Sequence, residues 1–353
     1  MACCAPLFPF IKDNVGADET QFGLLLLCFG LGSIIAMPLT GFVAARQGPR
    51  SMVLLGGFGL IIFLPTLTIA ETPFILGSFL FLFGASLGTI DVAMNIHGVA
   101  VEAKEKRSLM SNFHAQFSIG GLFGAGLMTL LLSVGVPLVM TATIGATLAL
   151  LAMLLTTPRL LHVKVADQST FVFPRGIVLL LGLLAGITFL VEGAVLDWGA
   201  LLVIERQLTT PQSAGVGYIL FSAAMVIARL TGGHIVTALG ELWVLILGGI
   251  VTILGIATVL LATVPLVALV GFVLIGLGSA NLVPIFFSVA GRQTLMPASL
   301  AIASVTTIAY SGVLVGPAMI GFAADLMSLP MAFWLLTLLI ACVPFTAFVV
   351  TKH

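Results

Sequence analysis

Apolar positions in this chain come in blocks of roughly twenty or more, with charged and turn-forming residues gathered at the joins. A helix needs about 20 apolar residues to cross a bilayer core. Cutting at the joins predicts spanning helices over residues 22–45, 51–70, 74–101, 109–133, 136–157, 176–204, 213–238, 242–263, 265–290, 299–323 and 330–350. A shorter apolar piece, residues 2–11, precedes them and ends at Lys12 and Asp13. It is too short to span and lacks the basic start and small-residue cleavage site of a signal peptide. It is therefore read as the outer end of a first helix whose beginning is missing. The predicted fold class is an all-α membrane protein with twelve transmembrane helices, the first incomplete in this chain.

Alternating the ends of these helices sorts the basic residues. Arg46, Arg50, Lys104, Lys106, Arg107, Arg159, Lys164, Arg175, Arg292 and Lys352 fall on one side. Only Lys12 and Arg206 fall on the other, and Arg229 is left inside a helix. The excess marks the cytoplasmic side, which places the C-terminus there.

Composition agrees with lipid as the main solvent. Hydrophobic residues make up 60% of the 353 and charged residues 7%, against about 25% charged in soluble domains. A net charge of zero excludes a nucleic-acid footprint. Cys3, Cys4, Cys28 and Cys342 have neither metal-ligand nor disulfide-framework spacing, so no cofactor or metal is expected. No G-x-S-x-G, HExxH or paired catalytic aspartates are present, which argues against an enzyme.

The longest polar connection, residues 158–175, separates an N-terminal bundle, 1–157, from a C-terminal bundle, 176–353. Shifting the first by 192 positions superposes eight of its nineteen glycines on glycines of the second, among them 48 on 240, 84 on 276 and 124 on 316. A parallel six-helix repeat is the arrangement of a two-lobed carrier.

The stretch "GFVAARQGPR", Gly41 to Arg50, resembles the major facilitator loop signature G-x-L-A-D-R-x-G-R-[RK]. Gly41, Ala44, Arg46 and Gly48 match, Arg50 lies near the final basic position, and Ala45 replaces the aspartate. "FGASLGTIDVAMNIHG" (83–98), "FHAQFSIGGLFGA" (113–125), "EGAVLDW" (192–198), "ARLTGG" (228–233), "GLGSANLVP" (276–284) and "AYSGVLVGPAMIGF" (309–322) resemble an uncharacterised bacterial inner-membrane transporter group. That group is related to the L-fucose:proton symporter. The resemblance implies the major facilitator fold, location in the bacterial inner membrane, a small-molecule substrate, protons as coupling ions, and a monomer. In the symporter's fourth helix, E-x-A-x-N-P carries a glutamate implicated in proton coupling. The matching run here is Asp91-Val-Ala-Met-Asn95-Ile, without the proline. Its G-R-F-T-G resembles Ala228-Arg229-Leu230-Thr231-Gly232.

Gly84, Gly88, Asp91, Asn95 and Gly98 recur on one helical face. An ionised carboxylate at the depth of Asp91 costs about 2.5–3.5 kcal/mol. Protonation removes that cost, so Asp91 is the first candidate for proton coupling; helix packing is the alternative. Glu192 is the second. Arg229 needs an anionic partner, either Asp91 or Glu192, and is assigned a structural role. Asn95, His114, Gln116, Trp198, Asn281 and Tyr310 are the candidate substrate-binding residues. Trp198 reads equally as an interfacial anchor, and Asn281–Pro284 and Gly316–Pro317 as hinge or packing positions. Gly41, Arg46, Gly48 and Arg50 are assigned to gating. The charged run 102–107 reads as a solvated end. The expected function is proton symport of a small polar solute such as a sugar, with efflux antiport and a non-transporting sensor as alternatives.

Overall fold

The computed structural model describes residues 4–162, 173–210 and 213–352. Much of the predicted connection 158–175, including Lys164, lies outside them, as does Cys3. The helices are α1 (Phe8–Asn14), α2 (Glu19–Gln47), α3 (Pro49–Thr66), α4 (Pro73–Glu105), α5 (Met110–Ser133), α6 (Leu138–Thr156), α7 (Ile177–Glu205), α8 (Val216–Leu239), α9 (Glu241–Leu261), α10 (Pro265–Ser279), α11 (Leu282–Arg292), α12 (Ala298–Leu326) and α13 (Leu329–Thr351). No strand occurs among the described residues. Eleven segments are long and apolar enough to cross a membrane, with α10 and α11 together forming one of them. Each overlaps a predicted span.

Local chemistry sets several of the boundaries. Helices α3, α4 and α10 start at prolines 49, 73 and 265, whose fixed φ suits the first turn and whose missing N–H has no helical partner to lose. Asp18 caps α2 by accepting from Gln21 N at 2.8 Å. The α2–α3 joint is Gly48, at φ 81° and ψ 160°, and the α8–α9 joint is Gly240, at φ 79° and ψ 154°. Both donate their N–H over 2.9 Å to the residue four back, Ala44 and Val236. A Cβ disfavours this backbone, so glycine closes one helix and opens the next.

The chain divides into two compact units: Met1–Val101 with Gln116–Val172, and Glu102–Ala115 with Phe173–His353. In the first unit α3 packs on α2 and α6; in the second α10 packs on α8 and α9, α9 on α13, and α12 on α7. The repeat seen in the glycines is present contact by contact. A Cβ on Gly84 would strike the Phe29 carbonyl oxygen, and one on Gly276 the Phe221 carbonyl oxygen, each 192 positions on. One on Gly56 would meet Ser86 O at 2.8 Å and one on Gly248 would meet Gly278 O at 2.7 Å, again at the same offset. Shared glycines mark the crossings where backbones approach most closely.

The core of the first unit joins Leu7 and Ile11 with Leu25, Leu64, Leu76, Leu80, Phe83, Ala142 and Ala146. Large apolar side chains also stand outward, among them Phe74 and Phe345 at 85% exposure each. Water would not tolerate such a surface; hydrocarbon does.

Candidate functional site

In the second unit the polar groups meet where α10 stops and α11 starts. Asn281, between them, has φ −105° and ψ 0°, outside the helical range. Three residues on, Pro284 has no N–H to give the carbonyl of Ala280, its partner four residues back. That carbonyl accepts instead from Arg229 Nε of α8, at 3.1 Å. The same guanidinium places Nη2 3.3 Å from Glu192 Oε1 of α7. The arginine side chain is 7% exposed and the glutamate side chain 19%. A cation this dry needs a counter-charge, and losing one partner of such a pair costs about 3–5 kcal/mol. Of the two partners expected for Arg229, this geometry selects Glu192.

Asn281 is 5% exposed. Its Nδ2 donates to Ala228 O at 3.3 Å, and its Oδ1 lies buried against Gly232 with no hydrogen bond among the described residues. In the first unit the corresponding positions are Thr89 and Thr40, joined hydroxyl to hydroxyl at 3.2 Å. Ser111 of α5 borders the same glycine, and Asn112 Nδ2 donates to Leu230 O at 2.9 Å. His114 stacks on Phe287 of α11, ring centroids 5.7 Å apart.

One member of this unit escaped the sequence reading. The charge of run 102–107 predicts a solvated end, yet Glu102 Oε1 accepts from Leu109 N at 2.8 Å and Met110 N at 3.2 Å. Its Oε2 accepts from Ser288 Oγ at 2.7 Å. It satisfies two orphan donors at the start of α5 and ties them to α11. A glutamate shortly before a predicted helix start was the available signal; Ser288, 186 positions away, gave none.

Trp198 of α7 packs its ring over Gly321 of α12, its indole N–H buried without an acceptor among the described residues. Tyr310 meets Phe189 edge to face at 6.4 Å. Helix α12 runs unbroken through Pro317, where Gly316–Pro317 carries two readings, hinge or packing.

In the first unit the small-residue face of α4 turns to α2. Gly84 abuts Phe29, Gly88 abuts Ser33, and Ser33 Oγ donates to Gly84 O at 2.8 Å. Asp91 continues this face, partly buried. Its carboxylate has no hydrogen-bond donor and no cation among the described residues. Asn95 is buried, its amide donating to Asp91 O of its own helix at 2.9 Å. Gln116 is exposed in this unit, whereas His114 belongs to the other. At the α2–α3 joint Gly41 is buried, Arg46 lies over the Phe42 ring at 4.0 Å, and Arg50 bonds His162 and, at 3.5 Å, Thr157 O.

Residues 1–204 match the sequence pattern of the Major Facilitator Superfamily. The chain belongs to that family. An uncharacterized MFS-type transporter of Yersinia pestis is 44% identical over 356 residues, which cover 100% of this chain and 92% of the relative. An uncharacterized transporter of Sinorhizobium fredii is 34% identical, covering 95% and 90%. The membrane protein MosC of Rhizobium meliloti is 28% identical, covering 93% and 81%. Among solved structures, this facilitator is similar to FucP in the outward conformation, with TM-score 0.79 and 16% identity over 99% and 97% of the two chains. It is also similar to the human organic anion transporter MFSD10, with TM-score 0.77 over 96% and 88%. At such low identity these structures establish the fold. The facilitator is thus a multi-pass secondary transporter and not an enzyme.

Proposed function

We propose that this facilitator carries a small polar solute, a sugar or related metabolite, in symport with protons across the bacterial inner membrane. It would do so as a monomer with its C-terminus in the cytoplasm. The bundles 1–157 and 176–353 rock so that a central site faces each side in turn. The observation that carries the reading is Asp91: a carboxylate at membrane depth, partly buried and without a cation partner among the described residues. A structural aspartate would have a donor. A coupling aspartate must exchange its proton with whichever side it faces, and lasting partners would hinder it. FucP, whose fold this chain shares, is described as a fucose:proton symporter, which supports the solute class. One proton crossing about 150 mV supplies about 3.5 kcal/mol. At about 1.4 kcal/mol per tenfold, that sustains a gradient of a few hundred-fold, so one coupling carboxylate is sufficient.

The test is uptake of labelled hexoses, deoxyhexoses and polyols into proteoliposomes with and without an imposed pH gradient. Asp91→Asn is expected to lose gradient-driven accumulation while keeping solute counterflow. Full accumulation in the mutant removes Asp91 from the coupling role, and export driven by the gradient replaces symport with antiport.

A further inference from the structure

We propose that Arg229 is the residue through which the charge on Glu192 sets the geometry of the α10–α11 break. The inference rests on the reading of this chain as a proton-coupled carrier and names the device that its second unit contributes.

The break has a defined weak point. Pro284 leaves Ala280 O without its helical donor, and Arg229 Nε fills the vacancy at 3.1 Å. An unmet carbonyl in a dry helix costs more than a bond is ordinarily worth, so whatever holds that arginine in place also holds the break. Glu192 holds it, Oε1 lying 3.3 Å from Nη2. The guanidinium presents several donors in one rigid plane, so one group serves two acceptors from two helices without bending. Glu192 keeps 19% of its side chain exposed, and only one of its oxygens is engaged by Arg229 among the described residues. A proton can therefore reach the other oxygen without displacing the arginine first.

Protonation takes from the buried Arg229 cation the negative charge that Glu192 places 3.3 Å from it. Its optimum then moves away from the neutral Ala280 carbonyl toward water or any remaining charge, and the break loosens. Among the described residues, the titratable side chains on the elements around this pair include Tyr310 of α12, edge-on to Phe189 of α7. His114 approaches from α5, its ring stacked on Phe287 beyond the break. Helices α10 and α11 carry no ionisable residue before Arg292, and on α8 the nearest is His234, five positions on. Glu192 is the acidic group in this set.

Hydrogen–deuterium exchange of the full chain in lipid nanodiscs tests the relay. It is followed in peptides covering 276–288 and corrected for the intrinsic pH dependence of exchange. The wild type is expected to exchange several-fold faster at pH 5 than at pH 8, and Glu192→Gln to exchange fast at both. Pro284→Ala returns a donor to Ala280, and in the Glu192→Gln background it is expected to restore slow exchange. Where Glu192→Gln does not fold, Arg229→Lys takes its place: it keeps the charge, cannot bridge both acceptors, and is expected to exchange fast at both pH values. Equal protection in wild type and Glu192→Gln, or no rescue by Pro284→Ala, overturns the proposal. So does loss of the pH response in His114→Gln, which would assign the switch to the histidine. Exchange is read without transport, so a carrier shown by uptake to ignore protons refutes the proposed function and leaves the relay to be judged by its own result.

Discussion

Gly232 lacks a side chain because Asn281 occupies the space. A Cβ there would press into the amide oxygen and come within 2.6 Å of Ser111 Cβ. Gly23 and Gly193 have nothing within 4 Å of the same position. Gly232→Ala is therefore expected to lose about 1–3 kcal/mol to overpacking. Gly193→Ala, mid-helix and unopposed, should gain up to about 1 kcal/mol from propensity. Thermal unfolding in detergent distinguishes the two, and equal melting temperatures would contradict the packing described. At this scale the sequence showed which residues were unusual, but not what they touch. Asp91, Glu192 and Arg229 stand out in apolar runs because charge in hydrocarbon is costly. That Arg229 meets Glu192, and that Asp91 has no cation among the described residues, depends on how helices distant in sequence pack.

Helices were the most legible level, since a bilayer imposes one length and proline, glycine and charge punctuate it. The joints carry a sharper prediction. Gly240 holds φ 79° with nothing within 4 Å of a Cβ, so the strain of any replacement is purely in the backbone. Gly240→Ala is expected to cost about 1–3 kcal/mol. Gly240→Asn should cost about as much, because φ 79° with ψ 154° lies outside the left-handed helical well that asparagine tolerates. SDS-induced unfolding followed by circular dichroism measures both losses, and a wild-type midpoint for either variant would refute it. Less legible was the division of α10 from α11. Asn281 and Pro284 suggested an interruption, but Gly316–Pro317 suggested one equally, and α12 continues through it. The difference is tertiary: Ala280 O has an arginine at hand to take over when the proline withholds its N–H.

For the whole molecule, the repeat legible in the glycines is also physical. Gly84 faces Phe29 and Gly276 faces Phe221 in the same way, so Gly84→Ala and Gly276→Ala are expected to destabilise by similar amounts, about 1–3 kcal/mol each. Their effects should add within about 0.5 kcal/mol in the double mutant, since they lie in separate units. Chemical unfolding of the wild type and the three variants decides it, and strongly unequal losses would mean that the two copies no longer share a packing scheme. The repeat did not reveal that Glu102–Ala115 groups with the second unit. Within that unit Glu102 bonds Ser288, one carboxylate to one hydroxyl 186 positions apart, and no periodicity records such a contact.

At the α2–α3 loop Arg46 follows an alanine, not an acid, and rests on a benzene ring. Phenylalanine has no proton to gain, so acidification that would silence an aspartate leaves this fastening as firm as before.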